Sequence, residues 1–331
     1  MGLTPVVVAV DGGGSKTDVV ALGLDGKPIA RLRGPRSSPQ LIGLAESVTL
    51  IDELVLEAAG GAPVQRAELY LSGLDLPREV DAYSDAIAGH SWAREVVVDN
   101  DLFALLRAGT AEPDAVAVIC GTGMNAVGVR SDGASVRFPA LGQLSGDWGG
   151  GSGLGAEALW YAARDEDGRG QRTALTAAVR ARFGAVPELI EQLHFGERSY
   201  GELAELAPVV FQLAATDAVA AALVDRQAAE VVAFVAACLR RLDLLGRPVP
   251  VVLGGGILRA GDPRLMTAIA AGLAEVSRHA RVVHLTAAPI LGAALLALEH
   301  SGAGPATLDV ATAAMSEGPD RASASGVSTS G

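Results

Sequence analysis

Three glycine-rich turns, each directly after an apolar run, are the stretches of this sequence best suited to chemistry. They are DGGGSKT at 11–17, CGTGMN at 120–125 and LGGGI at 253–257. Because glycine has no Cβ, backbone N–H groups in such turns can converge, and concavities of this kind bind phosphate oxygens. One glycine turn often only reverses the chain. Three of them after three predicted strands indicate phosphate binding.

The first turn lies within a predicted β-hairpin. Residues 6–10 and 18–24 are β-branched apolar runs typical of strands, and the Asp-Gly pair at 25–26 suits a tight turn before a third strand at 27–33. A helix at 41–59 and strands at 68–72, 95–98 and 116–120 are predicted next.

The same strand, turn and strand pattern recurs in AVAVICGTGMNAVGVRSDG from residue 115, which indicates a duplicated unit. Residues 149–247 follow a helical pattern rich in Ala, Leu and Glu, which predicts a helical insertion. A buried strand before the third turn, a last strand and a final helix follow. From residue 301 onward small and polar residues dominate, and we expect a disordered tail.

Length, charge and cysteine content exclude several classes of function. The 331 residues suffice for two domains, and the net charge of −12 without a basic cluster argues against nucleic acid or an anionic membrane surface as a partner. Cys120 and Cys238 lie far apart, so neither a disulfide framework nor a thiolate metal site is indicated. No signal peptide or membrane span is recognisable, and we expect a cytoplasmic protein that binds small molecules.

Five motifs together resemble a known family. The first turn lacks the spacing of a P-loop and is followed by a strand, and the Rossmann pattern is also missing. The order of motifs instead resembles the actin-like ATPase superfamily of sugar kinases, Hsp70 and actin, and within it the BadF/BadG/BcrA/BcrD ATPase family that includes N-acetylglucosamine kinase. The motifs are DGGGSKTD at 11–18, LSG at 71–73, NDLFALLRAG at 100–109, ICGTGMN at 119–125 and SGDWGGGSGLG at 145–155.

The resemblance implies an α/β fold of two duplicated actin-like ATPase (ribonuclease H-like) domains, with ATP and sugar in the cleft between them and a helical insertion in the second. We expect the domains at 1–118 and 119–286, a final helix at 287–300 packing on the first domain, and a tail at 301–331. The apolar helical region at 204–245 suggests a homodimer.

The resemblance also implies the ATP contacts. Asp11 would hold Mg²⁺ through water, because Mg²⁺ gives up its hydration shell reluctantly. The β and γ phosphates would meet the first two turns, and the nucleoside would meet the third. The implied residues are Gly13, Gly14, Ser15, Lys16 and Thr17, then Gly121, Thr122 and Gly123, then Gly254, Gly255 and Gly256.

Phosphoryl transfer to a sugar hydroxyl needs a carboxylate that accepts the hydroxyl proton. The family pattern puts this base at Asp101, and Asp99 is the competing candidate. From spacing alone, a helix N-cap formed by Asn100 or Asp101 is the favoured interpretation.

For the sugar contacts, the resemblance implies Ser38, Ser72, Asn125, Gly142 and Asp147. Asp147 could accept two adjacent hydroxyls, or it could cap the helix that begins near residue 154. The expected reaction is phosphorylation of an amino sugar, by default N-acetylglucosamine at its 6-hydroxyl. Ser38 stands where some relatives have Asn, and Leu141 stands where relatives have Trp.

Three other interpretations remain open. Another hexosamine or hexose could be the acceptor, namely glucosamine, N-acetylmannosamine or N-acetylmuramic acid. The family also contains ATPase activators that hold an iron–sulfur cluster on cysteines, for which Cys120 and Cys238 are poorly suited. The third is a non-catalytic sensor with the same fold.

Overall fold

The computed structural model describes residues 4–316 and divides into two units. The first unit extends to Gly109 and resumes at Thr286, and the second is Thr110–Leu285.

The first unit is built on a five-stranded sheet in the order β3-β2-β1-β4-β5. β1 and β2 form the predicted antiparallel hairpin, β3 pairs with β2, and β4 and β5 run parallel to β1. Its N-terminal elements are β1 (Val6–Gly12), β2 (Thr17–Gly23), β3 (Pro28–Gly34), α1 (Pro39–Ile42), α2 (Leu44–Ala59), β4 (Val64–Leu71), α3 (Pro77–Ile87), β5 (Ala93–Asn100) and α4 (Asp101–Gly109).

The second unit repeats this arrangement. Its five strands run in the order β10-β9-β6-β7-β8, with β6, β7 and β8 as an antiparallel meander and β9 and β10 parallel to β6. The expected helical insertion lies between β8 and β9. The elements are β6 (Ala115–Cys120), β7 (Met124–Val129), β8 (Ser135–Arg137), α5 (Gly150–Glu166), α6 (Leu175–Phe183), α7 (Val186–His194), α8 (Ala207–Leu213), α9 (Ala218–Arg241), β9 (Val249–Gly254), α10 (Gly256–Ala260), α11 (Pro263–Val276) and β10 (Ala280–His284).

The chain ends its described part with two helices of the first unit, α12 (Pro289–His300) and α13 (Pro305–Ser316). Helix α12 packs on α4 and on β1. The approach to α4 is close, since a Cβ at Gly292 would lie 1.8 Å from the carbonyl oxygen of Ala104.

The mixed sheet of the first unit is covered by helices on both faces. Alternate residues of β1 face opposite sides. Val6, Val8 and Val10 belong to a core with residues of α2 and α3, whereas Val7 and Ala9 pack with α4, α12 and α13. This double cover explains why β1 is apolar at every position before Asp11.

A buried polar cluster ties α12 to β4. Glu68 is fully buried, and its carboxylate accepts hydrogen bonds from Tyr70 Oη (2.6 Å) and Arg66 Nε (2.7 Å) and contacts His300 Nδ1 (2.7 Å). These partners stabilise a carboxylate that burial would otherwise destabilise.

The structure differs from the sequence-based expectations in three places. The helix expected at 41–59 is broken at Gly43, whose φ of +89° a side chain would disfavour. The second unit begins before β6, because β6 pairs with β7 and β9; the boundary expected at 118 therefore lies nine residues too late.

The third difference concerns the tail expected at 301–331. Pro305 begins helix α13, and Ala311 of this helix is fully buried. Small side chains allow close packing: a Cβ at Gly26 would lie 2.4 Å from the carbonyl oxygen of Thr307. The expectation of disorder is therefore wrong for 305–316. Residues 317–331 lie outside the described residues.

Within residues 4–316, no single helix is both long and apolar enough to cross a membrane. Two consecutive helical segments would together be long and apolar enough, but the chain bends by 106° between them; they are Tyr200–Leu213 and Ala218–Arg241.

Candidate functional site

The strand register brings the ends of β1, β4 and β5 to one edge of the first sheet. Asp11 lies opposite Tyr70, and Tyr70 lies opposite Asp99. Since the three strands are parallel, the residues that follow them gather at the same edge, which is where open α/β sheets bind ligands. The register accounts for the proximity of Asp11, Ser72 and Asp101.

The first glycine turn closes tightly. Gly13 N donates to the carbonyl oxygen of Lys16 (2.8 Å), and a Cβ at Gly12 would lie 2.4 Å from Ser37 Oγ. Gly14, Ser15 and Lys16 are exposed at the tip, where an anion could approach them.

Thr17 differs from the other residues of the turn. It is fully buried, and its hydroxyl donates to the carbonyl oxygen of Pro35 (2.6 Å) and lies 2.8 Å from Ser37 Oγ. This hydroxyl joins β2 to the segment after β3. Its expected role in binding phosphate is therefore not supported.

Lys16 forms an ion pair with Asp18, the last residue of the DGGGSKTD motif, for which the sequence predicts no role. Arg33 Nε also donates to Asp18 (2.6 Å). Burial acts to raise the pKa of Asp18, but the hydrogen bonds from Arg33 and Lys16 outweigh it and hold this pKa below its usual value.

Asp11 is a carboxylate with little cationic compensation. Burial, followed by the nearby charge of Asp18, raises its pKa to about 7, and Lys16 opposes the shift only in part. A cation would stabilise the charged form, so the site fits Mg²⁺. No group of three or more His, Cys, Asp or Glu side chains in 4–316 could hold a metal ion. The metal would take its other ligands from phosphate and water.

Asn100 fixes the start of α4. Its Oδ1 accepts a hydrogen bond from Leu102 N (3.0 Å), and its Nδ2 donates to Asp75 Oδ1 (3.0 Å) and to the carbonyl oxygen of Leu74 (3.3 Å). Asn100 therefore serves as the helix cap that spacing suggested and also joins α4 to the loop after β4. The competing base, Asp99, accepts a hydrogen bond from Asn100 N (2.7 Å).

Asp101 is the first residue of α4, and its carboxylate is strongly perturbed. Burial raises the pKa to about 8, the charges of Asp11 and Asp75 add to the rise, and the amides of Leu102 and Asp101 itself oppose it. In its ionised form, a carboxylate with this raised pKa is a stronger proton acceptor than an ordinary Asp, which suits a general base.

Ser72 and Ser38 lie beside this edge. Ser72 follows β4, its amide donates to the carbonyl oxygen of Gly12 (2.8 Å), and its buried Oγ has no hydrogen-bond partner within the part of the chain that the structure describes. A Cβ at Gly73 would lie 2.7 Å from Ser38 Oγ. An unpaired buried hydroxyl is costly, and a bound hydroxyl group would satisfy it.

In the second unit, the second and third glycine turns meet. The second turn is held by α5, since Gly151 N donates to the carbonyl oxygen of Gly121 (2.8 Å) and Ser152 N to that of Thr122 (2.9 Å). In the third, Gly254 ends β9 and Gly256 begins α10. Gly255, with φ of +89°, lies so close to β6 that a Cβ would be 2.3 Å from the carbonyl oxygen of Cys120.

A cavity of about 600 Å³ opens at these turns. Gly121, Thr122 and Gly256 of the two turns line it together with the apolar side chains of Phe211 and Ile257. An apolar pocket beside glycine turns suits a purine base with attached phosphates. Phe211 was not identified from the sequence, because its helix is apolar at core spacing and gives no separate signal.

Asn125, Gly142 and Asp147 also belong to the second unit. Asn125 is buried in β7, and its Oδ1 accepts a hydrogen bond from Ala126 N (2.7 Å). Gly142 has a φ of +63° and begins a short 3-10 turn, Gly142–Leu144, and its carbonyl oxygen accepts a hydrogen bond from Asp147 N (2.9 Å).

Asp147 does not cap α5, since that helix begins at Gly150 with Gly149 at its N-cap. Asp147 and Gly142 line a second cavity of about 780 Å³, together with Gly123 of the second turn. Ser145 Oγ donates to the Asp147 carboxylate. The position at a cavity wall favours the ligand-contact interpretation of Asp147.

Two known proteins are similar in sequence along most of this chain. An N-acetyl-D-glucosamine kinase of Dictyostelium discoideum is 27% identical over 315 residues, covering 88% of this chain and 98% of the relative. An N-acetylmuramic acid/N-acetylglucosamine kinase of Clostridium acetobutylicum is 26% identical over 261 residues, covering 76% of this chain and 85% of the relative.

Solved structures confirm the expected fold class. A candidate N-acetylglucosamine kinase from Chromobacterium violaceum superposes with a TM-score of 0.70 at 23% identity, covering 89% of this chain and 99% of the other. A ROK-family hexokinase from Thermus thermophilus gives a TM-score of 0.54 at 18% identity, covering 90% and 100%. A model of the BadF/BadG/BcrA/BcrD ATPase family matches residues 8–297, and the chain therefore belongs to that family.

Proposed function

We propose that this protein is an ATP-dependent amino sugar kinase whose acceptor is N-acetylglucosamine and whose product is the 6-phosphate. The observation on which the proposal chiefly rests is the position of the Asp101 carboxylate at the start of α4, at the edge where β1, β4 and β5 end. Family membership and the two amino sugar kinases similar along most of the chain support the same activity.

In the proposed reaction, the 6-hydroxyl oxygen of the sugar attacks the γ-phosphorus of ATP. The bond from this phosphorus to the β–γ bridging oxygen breaks, ADP leaves with the bond electrons, and the hydroxyl proton passes to the Asp101 carboxylate. Asp101 then returns its proton to solvent.

The other residues of the proposed site would bind and orient ATP and the sugar. The exposed amides of the first turn, Gly14 to Lys16, would bind the β and γ phosphates, while Gly13 closes the turn through its bond to Lys16. The cavity beside Phe211 would bind adenosine. Mg²⁺ with ATP would neutralise charge on the phosphate oxygens, and Asp11 is the carboxylate suited to hold it through water. Ser38, Ser72, Asn125, Gly142 and Asp147 are the proposed sugar contacts.

The cysteines argue against the iron–sulfur activators of the family. Cys120 and Cys238 are fully buried, and burial raises the pKa of each thiol to about 12. Cluster ligation requires thiolates, which these environments disfavour.

The first test is ADP release from Mg-ATP with N-acetylglucosamine, N-acetylmannosamine, glucosamine, glucose and N-acetylmuramic acid, against a control without sugar. We expect N-acetylglucosamine to give the highest kcat/KM. ADP release that no sugar increases would refute the kinase proposal.

The same assay tests the base. Asp101→Asn should lower kcat by a factor on the order of 10² to 10⁴ with little change in the KM for ATP, because proton transfer is lost while nucleotide binding remains. Asp99→Asn is the matched control and should retain most of the activity. The opposite ranking of the two variants would make Asp99 the base.

A further inference from the structure

The cavity beside Asp147 is lined by aromatic side chains as well as by proposed sugar contacts. Asp147 and Gly142 line it together with Trp148, Trp160 and Tyr200, and these three side chains form its aromatic wall. We infer that this wall binds a second, uncharged sugar ring joined to the acceptor, so that the enzyme phosphorylates disaccharides of amino sugars as well as the monosaccharide. The inference rests on the proposed kinase function.

The size of the cavity favours an occupant larger than one amino sugar. Its volume of about 780 Å³ exceeds the roughly 600 Å³ of the cavity proposed for adenosine. N-acetylglucosamine has fewer non-hydrogen atoms than adenosine, so a monosaccharide at Asp147 would leave much of the cavity to water.

The aromatic side chains are unusually accessible for their size. Trp160 is 50% exposed and Tyr200 is 66% exposed. Exposed aromatic groups that line a cavity mark binding surfaces, since their rings offer apolar faces while Nε1 and Oη remain available for hydrogen bonds. A pyranose ring matches this surface, because its C–H groups can pack on a ring face while its hydroxyls bind polar atoms.

Trp148 forms a preorganised part of this wall. Its Nε1 donates to Glu157 Oε1 (3.1 Å), and the guanidinium carbon of Arg226 lies 3.9 Å from its ring centroid. The indole is thus held from two sides before any ligand binds, which lowers the entropic cost of binding.

The charges of the lining favour a neutral ring over a carboxylate-bearing one. The carboxylates of Asp147 and Glu157 and the guanidinium of Arg226 line the cavity, and the guanidinium carbon of Arg164 lies 4.6 Å from the ring centroid of Trp160. Arg226 already lies 3.3 Å from Glu157 and 3.9 Å from Glu230. A carboxylate on the acceptor would meet the carboxylates of Asp147 and Glu157 while Arg226 is already paired, so N-acetylmuramic acid should bind less well than an uncharged disaccharide.

Steady-state kinetics with N-acetylglucosamine, its β-1,4-linked disaccharide and N-acetylmuramic acid test the inference. We expect the disaccharide to be phosphorylated with the lowest KM. The double variant Trp160→Ala/Tyr200→Ala should raise the KM for the disaccharide about tenfold, as expected for the loss of roughly 1.4 kcal/mol of ring contacts, while the KM for the monosaccharide changes less than about twofold.

Phe195→Ala is the matched control, because Phe195 is 72% exposed in the same unit and does not line the cavity. It should leave all kinetic constants unchanged. Calorimetric titration of the wild-type protein with the disaccharide keeps the test independent of how the variants fold.

The inference is overturned if the disaccharide is neither phosphorylated nor competitive with N-acetylglucosamine while the monosaccharide is turned over. It is equally overturned if the double variant weakens both sugars alike, or if N-acetylmuramic acid binds best. Turnover of no sugar would instead refute the proposed kinase function, and this inference with it.

Discussion

At the residue scale, the chemistry depends on how the carboxylates at the end of the first sheet influence one another. The family motifs in the sequence point to Asp11 and to Asp101, with Asp99 as the competing base, because these carboxylates follow predicted strands. It could not show the roles of Asp75 or Asp18, since their effects arise only when β4 lies beside β5 and β1 beside β2. Nor could it show that the hydroxyl of Thr17 is occupied within the fold.

The pH dependence of activity should follow Asp101. Burial and the charges of Asp11 and Asp75 raise its pKa to about 8, so the carboxylate becomes increasingly protonated, and inactive as a base, as the pH falls below that value. The kcat/KM for the sugar should therefore rise with pH through this region. Asp75→Asn removes one negative charge and should move the rising limb to lower pH.

Glu79→Gln is the control for that shift. Glu79 accepts hydrogen bonds from Asp75 N (2.9 Å) and Leu76 N (2.8 Å) and is not among the groups that raise the pKa of Asp101. The pH profile of kcat/KM for Glu79→Gln should match that of the wild type. An unchanged rising limb in Asp75→Asn would show that the charge of Asp75 does not tune the base.

At the element scale, the strands and hairpins were predictable because β-branched runs and Asp-Gly turns are local signals. Helix α13 was not predictable from the sequence, since it is rich in small residues and Ala311 is its only buried residue. Its position depends on close contacts with Gly26 and with α12, which sequence spacing does not reveal. Similarly, the break at Gly43 depends on a backbone conformation that the helical pattern conceals.

The contact of α12 with α4 should be sensitive to one methyl group. In Gly292→Ala the new Cβ would lie 1.8 Å from the carbonyl oxygen of Ala104 and 2.6 Å from Ala108 N, so the helices must separate. We expect a loss of about 1–3 kcal/mol in the free energy of unfolding, measured by denaturant titration. Activity should also fall, because α4 begins with Asp101.

Gly89→Ala provides the comparison, since a Cβ at Gly89 in the same unit would meet no atom within 4 Å. Its unfolding midpoint should stay near that of the wild type. Equal midpoints for Gly292→Ala and the wild type would contradict the packing described for α12.

At the scale of the whole molecule, the two units repeat one topology, each with an antiparallel three-stranded meander followed by two parallel strands. The duplication was visible in the sequence as a repeated strand and glycine turn. The proposed role of each copy was not visible there, because the cavity proposed for adenosine in the second unit is lined partly by the helical insertion, which supplies Phe211. The repeated framework and the inserted helices together account for that cavity in the second unit and for the proposed catalytic carboxylate in the first.

The most direct measurement of the central claim is phosphorus NMR of a reaction containing the protein, Mg-ATP and N-acetylglucosamine. We predict that the γ-phosphorus signal of ATP is replaced by ADP and by a phosphomonoester whose phosphorus couples to the two C6 protons of the sugar. Formation of ADP with inorganic phosphate alone, and no phosphomonoester, would contradict the account, because water would then be the acceptor.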